Sequence, residues 1–171
     1  AFLGYAPPTD TNTSLHLWRP LNYVPGQGRS SLVQFRVSMA IVDSANGQSD
    51  TFHWRVYNTN EARLFSFDFN NATKLMAYTL DDGGGMIATT HKFTNNLWYE
   101  LTLNLDLASN AWNAVLDDRL IVSSQPITTT GAALNLGDID AVWSLRTPNA
   151  AGDNYLVFDN YEVVASPRFV M

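Results

Sequence analysis

His53, Arg55 and Tyr57 occupy alternate positions along one short stretch of the chain. If that stretch is extended, all three side chains leave one face of a strand within about 14 Å, at a rise of about 3.4 Å per residue. An imidazole, a guanidinium and a phenol in that arrangement suit the recognition of polyhydroxylated ligands. Aromatic rings stack on C–H surfaces, while guanidinium, amide and carboxylate groups fork onto neighbouring hydroxyls. Groups of the same kind recur at positions that alternate with apolar ones: His16 and Trp18, Gln34 and Arg36, Trp98 and Glu100, then Asp140 and Arg146. The candidate ligand-binding residues are therefore Arg36, His53, Arg55, Tyr57, Trp18, Trp98 and Glu100, with Arg36 expected beside the triplet on the floor of a groove. The plainer alternative is a solvated outer face carrying one cation–π pair. Trp18 and Trp98 are equally compatible with burial beneath loops, since tryptophan is usually mostly buried.

Several other chemistries lack their residues. There is no cysteine, which removes thiol catalysis and thiolate metal sites. His16, His53 and His91 fall in separate segments without a spacing such as H-x-x-x-H, so zinc is not expected. No G-x-S-x-G is present, and Gly83-Gly84-Gly85 lacks the Lys-Ser/Thr that would hold a phosphate, so it reads as a hairpin tip. Glu100 and Asp106 share a face but lie six residues apart, about 20 Å along a strand, too far to act on one bond. The stretch Asp43 to Asp50, and Asp153 with Asp159, offer oxygens for calcium without matching an EF-hand loop; ordinary Asx turns explain them as well.

The elements that must position these groups read as strands. From 97 to 107 every odd residue (Leu97, Tyr99, Leu101, Leu103, Leu105, Leu107) is large and apolar, with Glu100, Thr102, Asn104 and Asp106 between them. Ser109-Asn110 and Asp117-Asp118 then supply turns, so that 97–107, 111–116 and 120–122 form a meander. The same alternation marks 14–19, 32–41, 52–57, 64–69, 74–80, 86–93, 139–145 and 155–164, which gives about eleven strands and no segment with helical periodicity. Trp54, Trp112 and Trp143 share faces with apolar neighbours and are expected in the core. Residues 123–136 lack periodicity and read as a loop with room for one short strand. A single domain is expected over 1–171, with a proline-containing irregular entry segment or edge strand at 1–13 and a tail at 166–171.

Charge narrows the partners. The 171 residues carry a formal net charge of −6 with no basic cluster, which argues against nucleic acid and anionic membrane surfaces. No run of 18 apolar residues exists, so no membrane span is expected. The opening residues lack a basic stretch followed by an apolar one, consistent with a sequence that starts after a removed signal. Asn, Thr and Ser are abundant and Glu occurs only at 61, 100 and 162. That composition suits an all-β protein that is secreted or exposed at the cell surface.

Trp98-Tyr99-x-Leu-x-Leu-x-Leu-x-Leu, then Asn110-Ala111-Trp112-x-Ala114-x-Leu116-Asp117, and finally Asn154-Tyr155-Leu156-Val157-Phe158-Asp159-Asn160-Tyr161-x-Val163 resemble the closing strands of concanavalin A-like jelly rolls. The closest flavour is that of the laminin-G-like domains of bacterial secreted proteins, and the resemblance covers roughly residues 30 to 165. It implies an antiparallel β-sandwich of two stacked sheets, a carbohydrate ligand on the concave sheet or rim loops, and a structural calcium as the one cofactor left open. The fold also hosts enzymes, whose motifs are absent here: neither the E-x-D-x-x-E strand of laminarinase-like glucanases nor the R-x-E-x-R, Q-x-H and Y-x-K-x-G-x-Y strands of jelly-roll alginate lyases occurs. The expectation is a non-catalytic, lectin-like module that binds a polysaccharide or glycan. The alternatives are a structural or adhesive subunit that associates with itself or with neighbouring domains, and a polysaccharide hydrolase or lyase without a recognisable motif.

Overall fold

The computed structural model describes residues 1–4 and 13–166. Among these residues twelve strands form two antiparallel six-stranded sheets. The first sheet holds β1 (Phe2–Gly4), β3 (Leu32–Val42), β8 (Tyr99–Asp106), β9 (Ala111–Leu116), β10 (Arg119–Pro126) and β12 (Tyr155–Ala165), in the order β1-β12-β3-β8-β9-β10. The second holds β2 (Ser14–Leu17), β4 (Thr51–Tyr57), β5 (Arg63–Asn70), β6 (Leu75–Leu80), β7 (Ile87–Lys92) and β11 (Asp138–Ser144), in the order β2-β11-β4-β5-β6-β7.

The core lies between the sheets and is made by the alternation itself. Val33, Phe35, Val37, Met39 and Ile41 of β3 and Leu101, Leu103 and Leu105 of β8 are buried against Phe52, Trp54 and Val56 of β4 and Phe65, Phe67 and Phe69 of β5. Phe35 meets Trp54 at 5.1 Å between ring centroids, and Phe65 stacks on Trp112 at 4.0 Å. Such aromatic pairs add about 0.5–1.5 kcal/mol each beyond the area they bury. The three core tryptophans are all buried, and each indole N–H finds an acceptor: Trp54 on Met39 Sδ, Trp112 on the Pro126 carbonyl and Trp143 on Asp50 Oδ2.

The β9–β10 connection is the two-residue turn Asp117-Asp118, with φ of 45° and 64°. Two positive φ values match the right-handed twist of the flanking strands, and aspartate tolerates them. Two departures from the sequence reading are local. β10 runs on to Pro126 where a loop is expected from 123, because register shifts after Leu120 and Val122 and a positive φ at Ser124 break the period-2 pattern. Its place at the sheet edge also admits a proline. The twelfth strand, β1, lies within the entry segment and is too short to show a period; it pairs Phe2–Gly4 with Tyr155–Val157. The rest of that segment, 5–12, and the tail from 167 lie outside the described residues.

Candidate functional site

The chain passes from the first sheet to the second between β3 and β4, and this separates residues that the sequence suggests are neighbours. Arg36 stands on the outer face of the first sheet, cross-strand from Thr102 of β8 and Glu162 of β12. Trp98 and Glu100 lie on the same sheet, at the start of β8. His53, Arg55 and Tyr57 stand on the outer face of the second sheet, with Trp18 just beyond the end of β2. The groove expected from Arg36 and the triplet is therefore not formed: the two outer faces of a sandwich look in opposite directions, with the core between them.

Within the triplet the alternation holds, yet the three residues meet different surroundings. His53 is 7% exposed, and its Nδ1 lies 2.6 Å from Asp68 Oδ1. Ser66 Oγ and Thr79 Oγ1 donate to the same carboxylate at 2.6 Å each. Burial alone would push the Asp68 carboxyl up; these bonds and the charge on His53 hold it below its ordinary value. Arg55 runs between Asp140 of β11 and Ser66 of β5, and its Nη2 donates to Ser144 Oγ at 3.4 Å. Tyr57, half-buried, reaches a cleft.

That cleft, of about 530 Å³, is walled by His16, Trp18, Tyr57, Glu61, Asp138 and Asp140, with Asn22 and the 58–59 backbone at its rim. Backbone bonds place each wall. Leu21 and Asn22 N–H donate to the Gly137 carbonyl at 2.8 and 3.1 Å, and Tyr23 pairs with Leu136, which docks the chain after β2 beside the start of β11. The 58–62 turn closes through Asn58 N–H to the Ala62 carbonyl and Glu61 N–H to the Asn58 carbonyl. Gly137 lies so close to that turn that a Cβ would come within 2.2 Å of the Asn58 carbonyl oxygen, so only glycine allows the approach. Trp18 remains 58% exposed at the mouth, which leaves its ring free to stack.

The floor of the cleft is a carboxyl pair. Asp138 and Asp140, two apart on β11, leave the same face and lie within hydrogen-bonding reach of each other. Burial first, then the hydrogen bond and charge of Asp140, then the charge of Glu61 push Asp138 up to about 7. Burial also raises Asp140, against the opposing effects of its bond to Asp138 and the charge of Arg55. His16 Nδ1 lies 3.0 Å from Asp140 Oδ2, and burial followed by the Arg55 charge lowers the imidazole, so His16 is neutral at pH 7. The pair thus holds a shared proton near neutrality, flanked by an exposed indole, a phenol and amides. Sequence reasoning reaches His16 and Asp140 as polar-face residues but passes over Asp138 and Glu61; the D-x-D spacing of Asp138-Ile139-Asp140 on a strand is the signal that places two carboxyls together.

On the first sheet the polar candidates and their neighbours take part in hydrogen bonds across the sheet. Glu100 accepts from Ser38 Oγ, and amides run across the sheet, Gln34 Nε2 donating to Asn104 Oδ1 and Asn104 Nδ2 to Asn113 Oδ1, each at 2.8 Å. Trp98 is 56% exposed.

The acidic loops do not fit the calcium that the resemblance implies. Asp50 Oδ2 accepts from Trp143 Nε1, Gly152 N and Asn154 Nδ2 at 2.8–3.0 Å, and Oδ1 from Arg146 N. Asp153 Oδ1 accepts from Ser44 Oγ and from the Ala45 and Asn46 N–H groups. Asp43 Oδ1 takes the Ser44 N–H and Lys74 Nζ, while Asp159 accepts from Asn160 N–H on β12, apart from these loops. Donors aimed at these lone pairs hold the space a cation would need. Among the described residues no three His, Asp or Glu side chains are arranged to hold a metal ion.

No family model and no curated protein matches the sequence. Solved structures match in shape. A sialidase superposes with a TM-score of 0.67 at 9% identity over 92% of this chain, which spans 15% of that protein. Sheep galectin-11, in a complex with glycerol, gives 0.57 at 12% identity over 86% of this chain and 96% of its own. Alginate lyase A1-II′, a member of polysaccharide lyase family 7, gives 0.59 at 9% identity over 90% of this chain and 80% of its own. These neighbours are concanavalin A-like jelly-roll sandwiches, and that is the fold of this chain.

Proposed function

We propose that the protein is a non-catalytic carbohydrate-binding sandwich and that its ligand lies in the cleft between the end of β2, the start of β11 and the β4–β5 turn. The observation that carries this reading is the exposed Trp18 ring at the mouth of a polar cleft with Tyr57 on its wall. A flat apolar surface beside fixed carboxyl and amide groups is what a sugar ring requires, with one face of C–H groups and an edge of hydroxyls. The likeness to a galectin supports the reading at the level of fold.

The test is retention on immobilised polysaccharides and a glycan array, followed by Trp18→Ala and Tyr57→Ala. Retention should fall about tenfold or more with Trp18→Ala, since stacking of this kind is worth more than about 1 kcal/mol. Retention that survives both changes, or release of reducing ends from the bound polysaccharide, overturns the proposal.

A further inference from the structure

The polar wall of the cleft is unbalanced at one atom. Asp140 is 5% exposed, His16 serves its Oδ2, and its Oδ1 is buried without any N–H or O–H donor from the protein. The group within its reach is the Asp138 carboxyl, itself only an acceptor once ionised. A buried acceptor without a donor is costly, and one on a carboxylate more so. Either a proton or a cationic donor must therefore sit at the pair.

The groups that face the pair come from four other elements. They are His16 of β2, Arg55 and Tyr57 of β4, Glu61 of the β4–β5 turn and Tyr161 of β12, whose ring carries Arg19 at 5.0 Å. Neither arginine lines the cleft, and the described residues that do line it include three carboxyls and no lysine or arginine. The free space therefore presents acceptors and negative charge beside an aromatic ring.

We infer that the ligand is an amine-bearing glycan, a sugar with a free protonated amine, whose ammonium group is held by Asp138, Asp140 and Glu61 while its ring lies on Trp18. This rests on the carbohydrate-binding reading and names its ligand class. An ammonium carries three donors and one positive charge, which the orphaned Asp140 oxygen, Asp138 and Glu61 can accept. The proton passes to solvent as the ammonium arrives, so charge in the cleft is conserved. Acetylating the amine removes the charge and two of the donors, and a uronate would bring like charge.

Calorimetry of the full chain tests this with four probes: glucosamine oligosaccharide, its fully N-acetylated form, a neutral cello-oligosaccharide and an alkyl diamine. The free-amine sugar should bind about tenfold tighter than the other two sugars, in line with a charge-assisted bond. At about pH 6 its binding should release a proton, read as heat that depends on the buffer's ionisation enthalpy. Asp138→Asn, isosteric with the protonated acid, should abolish the release, and Glu61→Gln should weaken the preference without affecting folding. Equal binding of the three sugars, still lost in Trp18→Ala, overturns the amine preference and leaves the carbohydrate reading intact. Diamine binding as tight as that of the amino sugar overturns the carbohydrate reading and leaves a cation site. No binding by any probe overturns both.

Discussion

The outer faces of the two sheets are drawn from the same in–out alternation and come out with different characters. On β3, β8 and β9 the outward positions carry Gln34, Asn104 and Asn113, joined by amide bonds with Asn104 itself buried, together with a half-buried Thr102 and with Arg36 in solvent. On β4, β5 and β11 they carry His53, Ser66, Asp68 and Asp140, which are 7%, 1%, 0% and 5% exposed. Burial changes what a polar side chain costs. In solvent, water replaces a lost partner; out of solvent, each missing partner is a debt of about 1–3 kcal/mol that protein or ligand must settle. The second sheet satisfies many of these groups internally, through Asp68 and His16, and leaves His53 Nε2, Arg55 Nε, His91 Nδ1 and Asp140 Oδ1 buried without a partner, of which Asp140 belongs to a residue that lines the cleft.

The largest expected effect breaks an internal settlement. Asp68→Ala leaves His53 Nδ1, Ser66 Oγ and Thr79 Oγ1 without their shared acceptor, and should cost about 3 kcal/mol or more. Urea unfolding should show the midpoint fall with an unchanged slope. Asn104→Ala, which cuts two amide bonds on the first sheet, should cost about 1 kcal/mol. Equal costs for the two changes would erase the contrast between the faces.

A smaller effect sharpens the contrast through pH. The Asp68 carboxyl titrates below 3.8 in the folded chain, so its stabilising contribution is complete above about pH 4 and is lost as pH falls through its folded value. Asp138 has the opposite sign. Its folded value of about 7 lies above the ordinary 3.8, so the folded chain keeps a proton that the unfolded chain gives up. Stability is therefore lost progressively from about pH 4 to about pH 7. Asp138→Asn should remove that decline, and thermal melts should show the variant gaining on the parent between about pH 4 and pH 7. Asp138 is part-buried and lines an open cleft, so screening by solvent limits the gain to the order of 1 kcal/mol, or about 2–4 °C in Tm. A gap that stays constant with pH would mean the carboxyl pair does not share a proton.

These two faces also mark where sequence reading succeeds and stops. Alternation over 33–41 and 101–105 identifies the core side chains, and Asp117-Asp118 identifies a turn, because period and turn chemistry are local properties. It also places His53, Arg55 and Tyr57 on one face. It does not say which of two outer faces a strand supplies, since that depends on where the chain crosses between sheets. β3 and β4 are consecutive in sequence but belong to different sheets, which is why Arg36 and the triplet part company. Trp18 and Trp98 look alike in sequence and are almost equally exposed; only the docking of 18–23 against Gly137 and Leu136 puts Trp18 at a cleft. Glu61 depends on a turn and on the close approach of Gly137, neither of which has a periodic signal.

The smallest expected effects belong to the first sheet and carry the sharpest distinction. Among the described residues Lys74–Asp43 is the ion pair of a lysine or arginine with a carboxylate, beside the imidazole–carboxylate contacts His16–Asp140 and His53–Asp68, so Arg36, although cross-strand from Glu162, holds no ion pair. Its side chain is solvated, and Trp98 is more than half exposed. Arg36→Ala and Trp98→Ala should each change stability by less than about 0.5 kcal/mol, because removing groups that water already surrounds leaves no buried partner behind. The same two variants should retain glycan as the parent does, measured on the matrix that separates Trp18→Ala from it. Loss of retention in Trp98→Ala with Trp18→Ala unaffected would reverse the assignment of the faces and make the amide-lined first sheet the binding surface. Loss in both would require a ligand long enough to reach around the edge of the sandwich.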